Sequence, residues 1–180
     1  MFTKKDIIYT PPFHINYNLT VGNKLKRFMK EDIDFDVFLP SIGKNLQRGY
    51  VWSSLQKEQL IWTVIKNKKI GILSLIEHAI SEKEKKYEVI DGKQRLSTLF
   101  SYLKNEFPIF YKEKPFFYKD LDNDIRISIE RLSLNANIGY SYWDEPITDE
   151  DKILWFEELN FLGTPQDQKH LMSLKTKGKV

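Results

Sequence analysis

The chain has 180 residues, of which 41% are apolar and 29% charged, enough for the core of one water-exposed domain. It has no cysteine, which excludes disulfides, thiolate metal sites and cysteine nucleophiles. Its net charge of +3 permits nucleic-acid binding without arguing for it. No apolar run approaches the ~20 residues of a membrane span. The segment from Met1 to Asp6 lacks a signal-peptide stretch, so a cytoplasmic protein without a membrane partner is expected.

In chain order, residues 1–17 carry Pro11-Pro12 and read as an extended arm. Val21, Leu25, Phe28 and Met29 fall near helical spacing and predict a helix from about Thr20 to Glu31. Phe35 to Leu39 reads as a short strand ended by Pro40, and Ser41 to Gly49 as a polar loop. A helix follows from Ser54 to Asn67, with Ser53 and Gln56 placed for a capping box and Leu60, Ile61, Val64 and Ile65 as its buried face. Ile70 to Ile76 is strand-like, Ser81 to Lys86 a charged turn, and Tyr87 to Ile90 a second strand. Gln94 to Asn105 is helical, with Leu96, Leu99, Phe100 and Leu103 on one face. Short strands are expected at Pro108–Tyr111 and Phe116–Tyr118, a helix at Asp122–Leu132 and a strand at Ile138–Trp143. A helix at Thr148–Leu159 carries acids on its positive end, and Thr164-Pro165 restart one more. Lys175, Lys177 and Lys179 form a basic, partly ordered tail over 169–180. The class is α+β, a small mixed sheet with packed helices, in a single domain spanning 1–180.

Chemistry is concentrated in Val89-Ile90-Asp91-Gly92-Lys93-Gln94-Arg95. An apolar strand ends in Asp-Gly and a helix begins at once, so backbone N–H groups of a helix start face a carboxylate and a guanidinium. In a functional reading, Gly92 admits a ligand to the backbone, Arg95 forks onto phosphate oxygens, Asp91 binds Mg²⁺ or orients water, and Gln94 positions that water. In a purely structural reading Asp91 caps the helix and Arg95 makes a surface pair. Gln47-Arg48-Gly49-Tyr50-Val51-Trp52 offers Arg48 as a second phosphate ligand and Gln47 and Tyr50 as base or DNA contacts, while Trp52 is a core anchor. Asn160, in Phe156-x-x-x-Asn160-x-x-Gly163-Thr164-Pro165, either serves a helix end or reaches into the same site. His14, His78 and His170 have no metal-ligand spacing, and there is no Walker-type loop.

Taken in order, the three motifs resemble the N-terminal domain of GmrSD-type modification-dependent restriction proteins, within the ParB/sulfiredoxin-like group. The similarity runs from about Leu46 to Gln168. The resemblance implies a ParB/sulfiredoxin-like fold that binds and hydrolyses a nucleoside triphosphate (ATP, GTP or CTP) with Mg²⁺, in a bacterial or phage-encoded protein. Carried over, Asp91, Gln94 and Arg95 are catalytic, with Asp91 the metal ligand. Arg48, Gly92, Lys93, Arg95 and Asn160 hold the nucleotide. Lys93 stands where the family motif has its first glutamine, so that glutamine's role does not carry over. DNA or a DNA-processing protein is the implied partner, with a homodimer left open. A His-Asn-His nuclease site is not legible in these residues, so DNA cutting is expected from elsewhere. A non-catalytic DNA-binding or protein-interaction module, and a transferase acting on hypermodified DNA bases, are the alternatives.

Overall fold

The computed structural model describes residues 13–21, 25–80, 84–141 and 146–161. The first twelve residues of the expected arm, the helix restarting at Thr164-Pro165 and the basic tail lie outside them.

Within these residues the chain is α+β, as expected. A five-stranded mixed sheet has the order β1-β9-β5-β6-β2. Its strands are β1 (His14–Val21), β2 (Asp32–Asp34), β5 (Leu73–Ala79), β6 (Lys85–Asp91) and β9 (Leu134–Tyr140). β1 pairs antiparallel with β9, and β5 antiparallel with β6. β5 with β9 and β6 with β2 are parallel. Two hairpins stand apart: β3 (Phe38–Leu39) with β4 (Lys44–Asn45), and β7 (Ile109–Tyr111) with β8 (Lys114–Phe116). The helices are α1 (Leu25–Phe28), α2 (Ser54–Ile65), α3 (Lys93–Leu103), α4 (Asn123–Glu130) and α5 (Asp149–Phe161). No helix among the described residues is long and apolar enough to cross a membrane.

The central strands are apolar on both faces because both faces are covered. Leu73, Leu75 and Val89 point into the larger core with residues of α1 to α4, including Leu60, Leu96 and Ile129. Ile76 and Ile90, one residue out of phase, join Trp155 and Phe156 of α5 in a second core. Gly139 on β9 lets that second core close: a Cβ there would lie 2.9 Å from the Phe13 ring and 3.2 Å from Trp155. The Phe13 and Trp155 rings meet edge to face, 5.3 Å between centroids.

Lys152 of α5 inserts beside Glu88 of β6, Nζ to Oε2 2.7 Å, and His78 of β5 lies 3.3 Å from the same oxygen. Burial pushes the Glu88 carboxyl up. The adjacent His78 ring and the Lys152 ammonium outweigh it and bring the group down to about 2. This ion pair fastens α5 to the sheet beside the second core.

The expected capping box is present: Gln56 N–H donates to Ser53 Oγ, and Ser53 N–H donates to Gln56 Oε1 at 2.9 Å. Thr148 and Asp151 form the equivalent pair at the start of α5.

Five expectations need correction. The helix from Thr20 to Glu31 shrinks to α1, and the arm's His14 to Tyr17 belong to an edge strand that continues to Val21. Antiparallel pairing with β9, through a bulge between Asn16 and Leu19, overrides the helical spacing there. The strand at Phe35–Leu39 is divided. β2 lies earlier and ends where Asp36 N–H turns back onto Asp34 Oδ1 at 2.9 Å, while Phe38–Leu39 pairs with β4 inside the expected polar loop. Phe35 instead packs edge-on against Phe100 of α3, 5.8 Å between centroids. β9 begins at Leu134, four residues ahead of the expected Ile138, and Tyr118 starts a 3₁₀ turn where a strand was expected.

Candidate functional site

β6 ends at Asp91 and α3 begins at Lys93, so a single residue makes the turn. Gly92 has φ 104°, a conformation that side chains resist. It also lies against β5: a Cβ on Gly92 would fall 2.3 Å from Leu73 Cδ2. The glycine is therefore required twice, by dihedral and by space.

No side chain caps α3. The expected cap from Asp91 is absent because its Oδ2 accepts from Arg95 Nη2 at 2.6 Å. The first-turn N–H groups of Lys93, Gln94 and Arg95 thus end in a cleft without a side-chain acceptor. The Arg95 guanidinium is anchored further by the carbonyls of Ile70 and Ile72, which accept from Nη1 at 3.0 and 3.1 Å. Gly71 makes this approach possible, since a Cβ there would meet Nη1 at 2.6 Å. Of the two structural alternatives, then, the cap does not form and the pair does, as a half-buried brace across the turn.

The opposite wall is the segment 47–52. Gln47 Nε2 donates to the Val89 carbonyl at 2.5 Å, which ties the segment to the end of β6. Gln94 clamps it from α3. Its Oε1 accepts from the N–H groups of Val51 (2.9 Å) and Trp52 (3.3 Å), and its Nε2 donates to the Gly49 carbonyl at 3.2 Å. The Thr98 hydroxyl donates to the Gln94 carbonyl at 2.7 Å and leaves its oxygen to the Tyr50 hydroxyl at 2.6 Å. Burial pushes the Tyr50 phenol up, against a smaller opposing effect of the Thr98 bond. Lys57 Nζ lies over the Tyr50 ring, 4.9 Å from its centroid. Trp52 packs half-buried against the larger core, as expected.

Between these walls lies a cleft of about 160 Å³, lined by Gln47, Arg48 and Trp52 on one side and by residues 91–95 on the other. Three cations face one carboxylate, so the cleft is positive. The cations differ in their engagements. Arg95 is braced. Lys93 is only 4% exposed and its Nζ meets Asp36 Oδ1 at 2.5 Å. Arg48 is exposed and has no ion pair or hydrogen-bond partner among the described residues.

The structure brings Gln47, Arg48, Asp91, Gly92, Lys93, Gln94 and Arg95 to one place. It does not bring Asn160 there: its Nδ2 donates to the Phe156 carbonyl of its own helix at 2.6 Å, and it does not line the cleft. Tyr50 does not line the cleft; its hydroxyl is bonded to Thr98 and its ring lies under Lys57. Sequence reading missed Asp36, which is 57 positions from Lys93 and carries no local signal. It also missed Thr98, which the i, i+4 spacing from Gln94 could have revealed.

A Mg²⁺ ion takes few protein carboxylates when phosphates complete its shell, and Asp91 is the only carboxylate lining the cleft among the described residues. No group of three or more acidic or histidine side chains placed to hold a metal occurs among those residues, so a purely protein-held ion does not fit. A whole nucleotide site spans about 300 Å³ or more. The cleft, at about 160 Å³, is too small to enclose a whole nucleotide.

A family model described as GmrSD restriction endonuclease, N-terminal domain, matches residues 25–175. No curated protein and no solved structure matches the chain. The matched span contains both walls of the cleft, the helix α3 that joins them and most of the sheet beneath, and on this extent the chain belongs to the family of GmrSD restriction endonuclease N-terminal domains.

Proposed function

We propose that the cleft between Arg48 and the Asp91–Arg95 turn binds the phosphates of a nucleoside triphosphate, with Mg²⁺ carried on Asp91, within a restriction-related, DNA-linked process. The observation that carries this reading is the uncapped first turn of α3 facing an unpaired Arg48 across a positive cleft. Phosphate oxygens there accept from backbone N–H groups and from the Arg48 fork. A phosphate at the turn also competes with Asp91 for Arg95, which frees the carboxylate for the ion. Hydrolysis is the further step of the proposal. Its water-orienting group is not Gln94, whose amide is committed to the 49–52 backbone, and Asp91 is the remaining candidate.

The same commitment of Gln94 favours a second reading, in which the domain binds nucleotide or a partner without turnover. Titration calorimetry with the four triphosphates in Mg²⁺, followed by a phosphate-release assay, separates the two. Arg48→Ala is expected to weaken triphosphate binding about tenfold, the equivalent of losing one charge-assisted hydrogen bond of about 1.5 kcal/mol. Binding that survives Arg48→Ala undiminished, or no binding by the wild type, refutes the cleft. Binding without phosphate release leaves the non-catalytic reading.

A further inference from the structure

Two grooves adjoin on the far side of the segment that anchors Arg95. One, about 350 Å³, lies between α1 and α4 and is lined by Lys26, Arg27, Lys30, Glu130 and Arg131. The other, about 730 Å³, lies between α4 and the loop after α2 and includes Lys68, Lys69, Asp124 and again Arg131. They meet at Ile127 and Arg131 on and just after α4. Together they gather six exposed cations against two acids. That local excess of four exceeds the +3 of the whole chain, so the rest of the molecule is slightly negative.

Only Lys26 is neutralised locally. Its Nζ meets Glu130 Oε1 at 2.5 Å, and that bond and one from the Tyr118 hydroxyl hold the Glu130 carboxyl below its ordinary range. Arg27, Lys30, Lys68, Lys69 and Arg131 have no ion pair among the described residues. The dipole of α4 accounts for Arg131, its C-cap, but helix dipoles do not account for the other four. Lys68 and Lys69 lie beyond the end of α2, Lys30 lies beyond α1, and α1 has only four residues. Neutral donors intersperse the charges, with Asn67, Ser128 and Ser133 in the larger groove. Lysine, arginine, serine and asparagine are the side chains that hold phosphodiester oxygens. No aromatic side chain lines either groove among the described residues, so a backbone is favoured over splayed bases.

We infer that the joined grooves on either side of α4 bind the phosphodiester backbone of duplex DNA, independently of sequence. The inference rests on the DNA-linked role proposed above for its choice of polyanion, and it places the DNA on a surface separate from the triphosphate cleft. Five contacts predict that affinity falls about 500-fold between about 50 and 200 mM salt, a slope of about −4.5 in log K against log salt.

The test is fluorescence anisotropy with a labelled duplex of about 20 base pairs, in wild type and in the variant Lys68→Ala/Lys69→Ala/Arg131→Ala. The variant is expected to lose about 2.7 from the slope and to bind more weakly at low salt. Its thermal melting and its triphosphate binding should match wild type, because none of the three residues lines the cleft. Absence of duplex binding by the wild type overturns the inference, as does an unchanged slope in the variant. So does displacement of the duplex by tripolyphosphate or by polyglutamate at equal charge, which would assign the grooves to a small phosphate or an acidic polypeptide. Arg48→Ala keeps the two proposals apart: it should impair triphosphate binding and leave the duplex isotherm unchanged.

Discussion

Replacing Gly92 with alanine tests the turn on which the cleft depends. Gly43 provides the internal control, because it too has a positive φ, +65°, but nothing within 4 Å of a built Cβ. Gly43→Ala should therefore cost only the left-handed backbone penalty, about 1 kcal/mol. Gly92→Ala carries that penalty at a less accessible φ of +104° and adds a methyl 2.3 Å from Leu73 Cδ2. Leu73 is fully buried in the larger core, where close packing resists a shift of its side chain. Overpacking of this kind adds about 1–3 kcal/mol, which brings Gly92→Ala to about 2–4 kcal/mol. Urea denaturation of both variants gives the comparison. A double-mutant cycle with Leu73→Ala isolates the clash, since removing the Leu73 methyls should make the two changes less costly together than their sum. If Gly92→Ala falls within about 1 kcal/mol of Gly43→Ala, or the cycle shows no coupling, the close packing of the turn against β5 is wrong.

Two further outcomes follow from the same geometry. Glu88, held at about 2 in the folded chain against 4.5 when unpaired, contributes stability that is complete above about pH 5 and is lost as pH falls toward 2. The difference is worth roughly 3 kcal/mol, or about 2 kcal/mol once solvent screening is allowed for. Lys152→Met should lower stability at neutral pH by about 2–3 kcal/mol and flatten the acid limb; parallel loss in variant and wild type between about pH 6 and pH 3 would remove the ion pair from the explanation. Gln94→Leu keeps volume but deletes the three bonds to residues 49–52. It should cost about 1–2 kcal/mol and speed amide exchange at Val51 and Trp52 without altering α2; unchanged exchange there would show that the clamp is not what holds the loop.

The β6–α3 turn was legible because every local signal agreed: a β-branched run, then Asp-Gly, then helical spacing. The capping box at Ser53 was legible for the same reason. β1 was not, because its alternating residues are interleaved with polar ones and overlap a second, helical spacing that begins at Val21. What the motif residues do in the folded chain was only half legible. Asp91 and Arg95 are four apart on either side of the Gly92 turn, close enough in sequence for their pairing to be legible. The ion pair of Lys93 with Asp36 and the clamp of Gln94 on Val51 depend on which distant segments the sheet brings alongside. Asn160 illustrates the opposite error: three motifs in order do not guarantee three walls of one site, and α5 lies over the second core with Asn160 bonded to its own helix.

Ile70-Gly71-Ile72 connects two recesses. Its residues line the larger basic groove, and its two isoleucine carbonyls grip Arg95 of the cleft. Should an occupant of the groove move this segment, it would move the carbonyls that hold Arg95. Linkage then imposes symmetry: by whatever factor an occupant of the groove alters affinity in the cleft, an occupant of the cleft alters affinity in the groove.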